Sequence, residues 1–145
     1  MALNPVWANE LWIGTEYSSS SWSYAKLCEG IESMEFNSNE QNQQFFFLCG
    51  EGFAWNETTG AAPELSISGR RIAGNTAQDF IASKQFALGT DRNTSVKIIA
   101  EGQQIVCDAT IGDVRTFGGQ TLDVNVFECT LRFNGKPTVT SATNG

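Results

Sequence analysis

The stretch Gly69 to Thr76, G-R-R-I-A-G-N-T, nearly matches a phosphate-binding loop. Such a loop has the pattern G-x-x-x-x-G-K-[ST], in which backbone N–H groups and the lysine surround phosphates and the hydroxyl holds magnesium. Here Asn75 stands where the lysine is required. The loop also belongs to parallel α/β folds with several strand–helix units, whereas this chain has one helical pattern among many strand-like runs. We therefore favour a glycine-permitted turn before a helix capped by Asn75 or Thr76.

The sequence lacks the residues that most other kinds of catalysis require. The chain contains no histidine, which excludes a histidine-based triad or general base. Carboxylate pairs such as Glu32/Glu35 and Asp108/Asp113 have the residue types of a glycosidase. Alternation along the strand places Asp108 on a polar face, however, where acids are normally just solvated. We expect no enzyme activity, no cofactor and no metal.

The four cysteines lack metal-site spacing such as C-x-x-C. A zinc site would need thiolates from four separate segments. No signal peptide is apparent, since the first basic residue is Lys26 and no apolar run follows a basic start. We therefore expect free, buried thiols that react only after unfolding, at the following positions: Cys28, Cys49, Cys107 and Cys129.

Length and charge limit the class of protein further. A chain of 145 residues suggests one domain, residues 1–145. No apolar run approaches the roughly 20 residues that cross a bilayer. The net charge is −7 and the pI is about 4.5. Because nucleic-acid affinity comes mainly from cations on phosphates, tight binding to DNA or to an anionic membrane is not expected.

The first half of the chain is dominated by strand patterns. "ELWIGTEY" and "WSYAKLC" are separated by "SSSS", which indicates a loop. "GIESMEF" alternates, with Met34 and Phe36 on one face. We predict a long polar hairpin loop at residues 37–44, joining this strand to the apolar run Phe45–Cys49. That run is apolar on both faces and needs cover on both sides, which in a small β protein is often another chain.

The second half contains the helix and the clearest strands. "TAQDFIASKQF" has an apolar stripe at helical spacing and predicts a helix over Thr76–Phe86. Glu101–Gly102 indicates a tight hairpin between two strands. A change of parity at Val126–Phe127 predicts a bulge or a twist that re-aims the face of the strand. Asn134–Gly135 is expected to end the last strand, followed by a flexible tail over residues 137–145.

The four tryptophans all fall within the first 55 residues. Their clustering is compatible with a sugar-stacking platform, or with core and subunit contacts, since interfaces are enriched in tryptophan and tyrosine. We favour the core and subunit contacts. The positions are Trp7, Trp12, Trp22 and Trp55.

The order of several segments resembles the major tail tube proteins of long, non-contractile-tailed bacteriophages. These segments are "ELWIG", "NEQNQQFFFLCGEGFAW", "ISGRRIAGNTAQDFIAS", "LGTDRNTSVKI" and "FNGKP". The resemblance covers nearly the whole chain, and its most specific part is S-G-x-R-x-x-G-x-x-A-Q-D, Ser68 to Asp79. It implies an antiparallel β-sandwich or half-barrel with one flanking helix on the outer side of the sheet. Six subunits would close a ring lined by a continuous β-barrel.

The resemblance also implies how such rings are used. Stacked rings would form a virion tail tube, assembled in the host cytoplasm, that surrounds a tape-measure protein and later conducts DNA without specific binding. Tail terminator and distal tail or baseplate proteins would be further partners. The long hairpin loop would contact the next ring, with the phenylalanines packing at its base. The implied inter-ring residues are Asn37, Asn39, Glu40, Gln41, Asn42, Gln43, Gln44, Phe45, Phe46 and Phe47.

An acidic lumen would repel phosphates and so let DNA pass. If the polar faces of the two long C-terminal strands line it, the lumen candidates are Asp108, Thr110, Glu128, Thr130 and Arg132. The alternative from another class is a carbohydrate-binding β-sandwich module. A degenerate nucleotide-binding protein is a weaker alternative.

Overall fold

The computed structural model describes residues 3–141. They form a seven-stranded antiparallel sheet, a separate two-stranded sheet and an eight-residue α-helix. Short 3-10 turns occur at Val6–Ala8, Leu48–Gly50 and Gly89–Arg92. In chain order the elements are β1 Glu10–Ser18, β2 Ser21–Lys26, β3 Ile31–Asn37, β4 Glu40–Phe46, β5 Ala54–Ala61, β6 Glu64–Arg70, α1 Thr76–Ser83, β7 Asn93–Ala100, β8 Gln103–Arg115 and β9 Val126–Ser141.

The seven-stranded sheet curls on itself. Its strand order is β2-β1-β7-β8-β9-β6-β3, so β2 and β3 are its two edges. Yet only residues 27–30 separate β2 from β3 along the chain. Five Cα–Cα steps span at most about 17 Å, so the edges must approach each other at that end. The two edges do not pair, and the sheet is an open half-barrel within the described residues.

The hydrophobic core lies on the concave face of this half-barrel. Alternate residues of the strands point inward, among them Ile13, Val96 and Leu131, all at most 1% exposed. From α1, Ala77 and Ile81 join the same cluster. The mainly antiparallel β fold with one helix is therefore confirmed. The helix packs on the apolar face, opposite the polar face of the sheet, and ends at Ser83 rather than at the predicted Phe86.

Two turns follow directly from local sequence. Ser19 and Ser20 both have positive φ (50° and 63°), as do Glu101 and Gly102 (53° and 77°). Two central residues with positive φ give the hairpin turn whose twist matches that of the flanking strands. The predicted loop at "SSSS" and the hairpin at Glu101–Gly102 are both confirmed.

The predicted polar loop at residues 37–44 is wrong in its conformation. Residues Glu40–Phe46 form strand β4, which pairs with β5 and not with β3. The polar side chains misled the prediction because every residue of β4 and β5 is exposed, so neither strand shows the alternation of a half-buried strand.

Strand β9 also differs from the prediction. It does not end at Asn134–Gly135 but continues to Ser141, pairing with Gln103–Val106 of β8. Gly135 has φ +83° and lies where the register shifts, so it bends the strand instead of ending it. The predicted flexible tail is therefore wrong over residues 137–141; residues 142–145 lie outside the described part. The apolar positions Leu122 and Val124 lie in an exposed loop before β9, so the parity change is not a bulge.

Candidate functional site

A hairpin made of β4 and β5 is the most exposed part of the fold. Within residues 3–141 its two strands pair only with each other, from Glu40 opposite Ala61 to Phe46 opposite Ala54. Seven residues of antiparallel strand extend about 24 Å. A two-stranded ribbon is at best marginally stable alone in water, so the hairpin lacks the support of a packed face.

The far end of this hairpin is apolar. We call the residues Phe45–Trp55 the apolar tip. The Phe45 and Phe47 rings stack, with centroids 5.9 Å apart and planes 13° apart. Leu48 is fully exposed (103%). The tip's other large exposed side chains are Phe46, Phe53 and Trp55.

The area of this patch is unusual for a free monomer. With about 150–250 Å² for a large aromatic side chain, the exposed fractions of these residues amount to roughly 700 Å² of apolar surface. The largest patch on a typical monomer is about 300–600 Å². An exposed apolar patch of this size indicates a surface that a binding partner covers.

The predicted inter-ring residues from Asn39 to Phe47 lie in this hairpin, in a different arrangement from the one expected, whereas Asn37 is the last residue of β3. The polar residues form the stem and the phenylalanines lie at the tip, not at the base. The stem is tied by side chains: Thr58 donates to Asn42 Oδ1 (2.8 Å), and Gln44 Nε2 donates to Asn56 Oδ1 (3.3 Å). Asn39, with φ +46°, donates to the Ala62 carbonyl and anchors the hairpin's start.

Sequence reasoning missed the second half of the tip. Phe53 and Trp55 belong to β5 and its approach, and Trp55 Nε1 donates to Glu57 Oε1 at 2.6 Å. The available signal was "GFAW" following the phenylalanine run, two apolar clusters around Gly50–Gly52. That spacing places both clusters at the turn of one hairpin.

The five predicted lumen residues lie on one face of two neighbouring strands. Thr110 of β8 is opposite Arg132 of β9, and Gly112 is opposite Thr130. Asp108 and Glu128 share the same face, because residues two apart on a strand point the same way. We call this surface the polar face. It is the convex side of the half-barrel, opposite the core.

Charges on the polar face are largely paired. Arg132 lies 2.7 Å from an Asp113 carboxylate oxygen and 3.8 Å from Glu64, and Arg115 lies 3.6 Å from Glu128. These side chains are between 30% and 66% exposed, so the pairs contribute little stability. Their effect is on the local field: Arg132 is flanked by two carboxylates and does not present a free positive charge.

Farther along the same face, Lys97 lies over two aromatic rings. Its Nζ is 4.8 Å from the ring centroids of both Trp12 and Tyr24. A cation over a ring face is attracted by the ring quadrupole. Trp12 thus has an intramolecular contact, whereas Trp7 and Trp55 are exposed at 86% and 58%.

The glycine-rich stretch Gly69–Thr76 is a structural junction. Asn75 is the N-cap of α1, its side chain accepting from the Gln78 N–H at 3.1 Å. Gln78 Oε1 accepts from the Ile72 N–H (2.8 Å), and Asp79 Oδ1 accepts from the Gly74 N–H (3.3 Å). The backbone N–H groups of Ile72, Gly74 and Gln78 are therefore already bonded to side chains of the chain itself. This geometry argues against the nucleotide-binding alternative.

Arg71 completes this junction. Its Nη2 lies 2.7 Å from Asp79 Oδ1, and the resulting hydrogen bond is the main cause that holds the pKa of Asp79 below its ordinary value of 3.8. Gln78 is fully buried and also donates to the carbonyls of Glu29 (2.8 Å) and Arg70 (3.1 Å). The motif S-G-x-R-x-x-G-x-x-A-Q-D thus encodes a packed hydrogen-bond network.

The cysteine prediction is half wrong. Cys107 and Cys129 are buried, and burial raises the pKa of the Cys129 thiol to about 12. Cys28 and Cys49 are exposed, in the β2–β3 connection and the apolar tip respectively. Among residues 3–141, no cluster of His, Cys, Asp or Glu has the arrangement of a metal site. Within the same range no helix has the length and apolar character to span a bilayer.

No family model matches this chain, and no curated protein does. Solved structures do share its fold. A chain from the tail of an empty GTA particle, refined with C6 symmetry, superposes with a TM-score of 0.68 at 13% identity, covering 97% of this chain and all of that one.

Two further structures superpose over nearly the whole chain. The tube-terminating cap of an anti-feeding prophage gives a TM-score of 0.59 at 14% identity, covering 98% of this chain and 95% of that one. The sheath–tube complex of an extracellular contractile injection system contributes a chain with a TM-score of 0.56 at 14% identity, covering 95% and 91%. The fold of this chain is thus one found in phage-like tails and related injection tubes.

Proposed function

We propose that this chain is a tail-tube subunit that self-assembles into stacked rings, and that the resulting tube conducts DNA during ejection. The observation that carries the proposal is the exposed apolar tip on a chain whose fold is shared with tail and tube components. A solvent-exposed patch of this size marks a protein–protein interface.

The edges of the half-barrel support lateral assembly. Strands β2 and β3 each have one unpaired side within the described residues. Unpaired edges invite pairing with another chain, and closure of a ring removes them. We propose that six subunits close such a ring around a continuous barrel; the C6 symmetry of the similar GTA tail supports that number for this chain.

The proposed lumen is the polar face around Asp108, Thr110, Glu128, Thr130 and Arg132. Its arginines are flanked by carboxylates, and the chain carries a net charge of −7. Around these five residues no arginine within residues 3–141 is left without a carboxylate partner, and an acidic wall of this kind repels phosphates and lets DNA pass. The tape-measure, tail terminator and distal tail or baseplate proteins, and the virion location after cytoplasmic assembly, are part of the same proposal.

The kind of tail is a separate part of the proposal. The sequence segments resemble tube proteins of non-contractile tails, and on that basis we propose a phage of this kind. The fold itself does not distinguish the two kinds, since a contractile injection system contains it as well.

A carbohydrate-binding module is the second candidate. Tyr17 and Trp22 lie with ring centroids 5.2 Å apart beside Asn93, Asp108 and Asn134, around an open cavity of about 500 Å³. Aromatic rings next to amide and carboxylate groups suit a sugar. A glycan-dependent change in tryptophan fluorescence of a monomer would favour this function over the tube.

The decisive experiment is negative-stain electron microscopy with sedimentation of the purified protein over a range of concentrations. We expect rings or hollow tubes in the wild type. Leu48→Asp places a charge in the apolar tip and should abolish stacking. Leu122→Asp is the matched control, because Leu122 is equally exposed (98%) but lies in the loop before β9. Loss of assembly in both variants, or in neither, would contradict a specific role of the tip.

A further inference from the structure

A largely apolar groove opens beside the start of β3, between the 3-10 turn Val6–Ala8, the start of β1 and the connection from β2 to β3. Its floor is formed by Leu11 and Leu27, which are only 4% and 2% exposed. Its walls include Ile31 and Met34 of β3, and the exposed Trp7 forms a lip. The volume is about 400 Å³. Polar side chains line it as well, and its remaining lining residues are Val6, Asn9, Cys28, Glu32 and Ser33.

The chain therefore carries two unpartnered apolar surfaces of opposite shape. The apolar tip is a projecting wedge, and the groove is a recess. Both are open in the same subunit: Leu48 is 103% exposed and Trp7 is 86% exposed. The tip of a subunit consequently does not occupy that subunit's own groove. The occupant that matches the groove and is present wherever this protein is present is the tip of a second copy.

The tip alone has nearly the area that one partner of a stable contact needs. The tip offers roughly 700 Å² of apolar surface, close to the about 800 Å² per partner of a standard interface. A wedge entering a different surface on the next copy is a head-to-tail contact. Repeated without closing, such contacts produce a stack or filament.

We infer that the apolar tip of one subunit docks into the groove lined by Leu11, Leu27 and Met34 of a subunit in the next ring. The inference rests on the proposed function and deepens it by naming the receiving surface. Leu48 and Phe47 enter the groove, and Trp7 closes over them.

Two exposed cysteines report on this contact. Cys49 lies in the 3-10 turn of the tip, next to Leu48, and Cys28 lines the groove. Docking brings Cys49 of one copy near Cys28 of another. Four samples are treated with a short bis-maleimide under assembly conditions and separated on denaturing gels: wild type, Cys28→Ser, Cys49→Ser, and an equal mixture of the two variants.

Docking predicts a distinct result for each sample. The wild type should give a ladder of covalent dimers, trimers and higher species, because every subunit has both partners. Each variant alone should stay monomeric. The mixture should give dimers and nothing larger, because each subunit then contributes one reactive thiol.

Three outcomes overturn the inference, and they differ in whether they also contradict the proposed tube function. Tubes without a ladder in the wild type exclude this docking and leave the tube function in place. Dimers in Cys28→Ser alone would show that the tips of two copies meet each other instead. Protein that neither assembles nor cross-links at any concentration would remove the proposed function as well.

Discussion

The backbones of Gly69 and Gly30 lie in direct contact. A Cβ atom built at position 69 would overlap the carbonyl oxygen of Gly30 and would also meet Ile31 Cα at 2.8 Å. This contact joins the end of β6 to the connection that leads into β3, which pairs Ile31 with Gly69. The first glycine of the apparent phosphate loop therefore allows the start of β3 to pair closely with the end of β6.

Replacing Gly69 by alanine should destabilise the fold, because the obstructing atoms are backbone atoms that cannot rotate away. We expect a loss of about 1–3 kcal/mol in the free energy of unfolding, as for other overpacked sites, measured by urea denaturation. Gly60→Ala is the control, since its Cβ would meet nothing closer than Gln41 Cβ at 4.0 Å. Equal stability of the two variants would contradict the close approach.

Gln78 should be among the most sensitive polar residues. Its buried amide bonds to the Ile72 N–H and to the carbonyls of Glu29 and Arg70. Gln78→Ala leaves these groups without a partner, at about 1–3 kcal/mol for each buried group that stays unsatisfied. We expect a loss of more than about 2 kcal/mol by urea denaturation. A loss no larger than that of Gln85→Ala, on the partly exposed stretch after α1, would show that the network does not stabilise the junction.

The ion pair between Asp79 and Arg71 should make stability depend on pH. The Arg71 hydrogen bond lowers the pKa of Asp79 below 3.8, so the carboxylate stabilises the folded state above that pH. This contribution is lost as the pH falls through the lowered pKa. The difference in urea midpoint between wild type and Asp79→Asn should therefore be largest near neutral pH and shrink below about pH 3.8. A difference that stays constant down to pH 2 would be inconsistent with this origin.

The exposure of the cysteines gives a prediction that needs no variant. Cys28 and Cys49 should react within minutes with a disulfide reagent at pH 8, whereas Cys107 and Cys129 should require denaturant. Burial raises the pKa of both protected thiols, so neither forms the reactive thiolate readily. The measurement is the number of thiols that react quickly in the native protein, and we expect two of the four. Four fast thiols would mean that the core opens easily; none would mean that assembly or packing covers the tip.

The sequence predicts a strand of this fold correctly where one face of the strand is buried and the other is exposed. Alternation predicted the core strands because Ile105, Cys107 and Ala109 face one side of β8 while Val106 and Asp108 face the other. It failed for β4, where both faces meet solvent and the pattern disappears. The glycine and proline expected to end β9 do not end it. Gly135 and Pro137 are tolerated there, because they lie at a bulge and the strand pairs with β8 on both sides of it. The groove could not be predicted from the sequence, because its lining residues come from β1 and β3, which are not neighbours in the sheet.

The polar face gives the last prediction. If it lines the tube, Asp108→Lys should leave tube formation intact and slow DNA release, because a lysine in the wall binds passing phosphates. Asp108 is the better choice than Glu128, whose replacement would also leave Arg115 without its 3.6 Å partner. The measurement is the rate of DNA release from particles assembled with the variant.

Its control must carry the same change of charge elsewhere. Asp91→Lys serves, since Asp91 is exposed in the 3-10 turn Gly89–Arg92, outside the strands that form the polar face. Slower release in Asp108→Lys alone places that residue on the DNA path. Slower release in both variants indicates a general effect of charge. Normal release in Asp108→Lys, with normal tubes, would mean that a different surface lines the lumen, because a lysine from every subunit of the proposed ring would attract a passing polyanion.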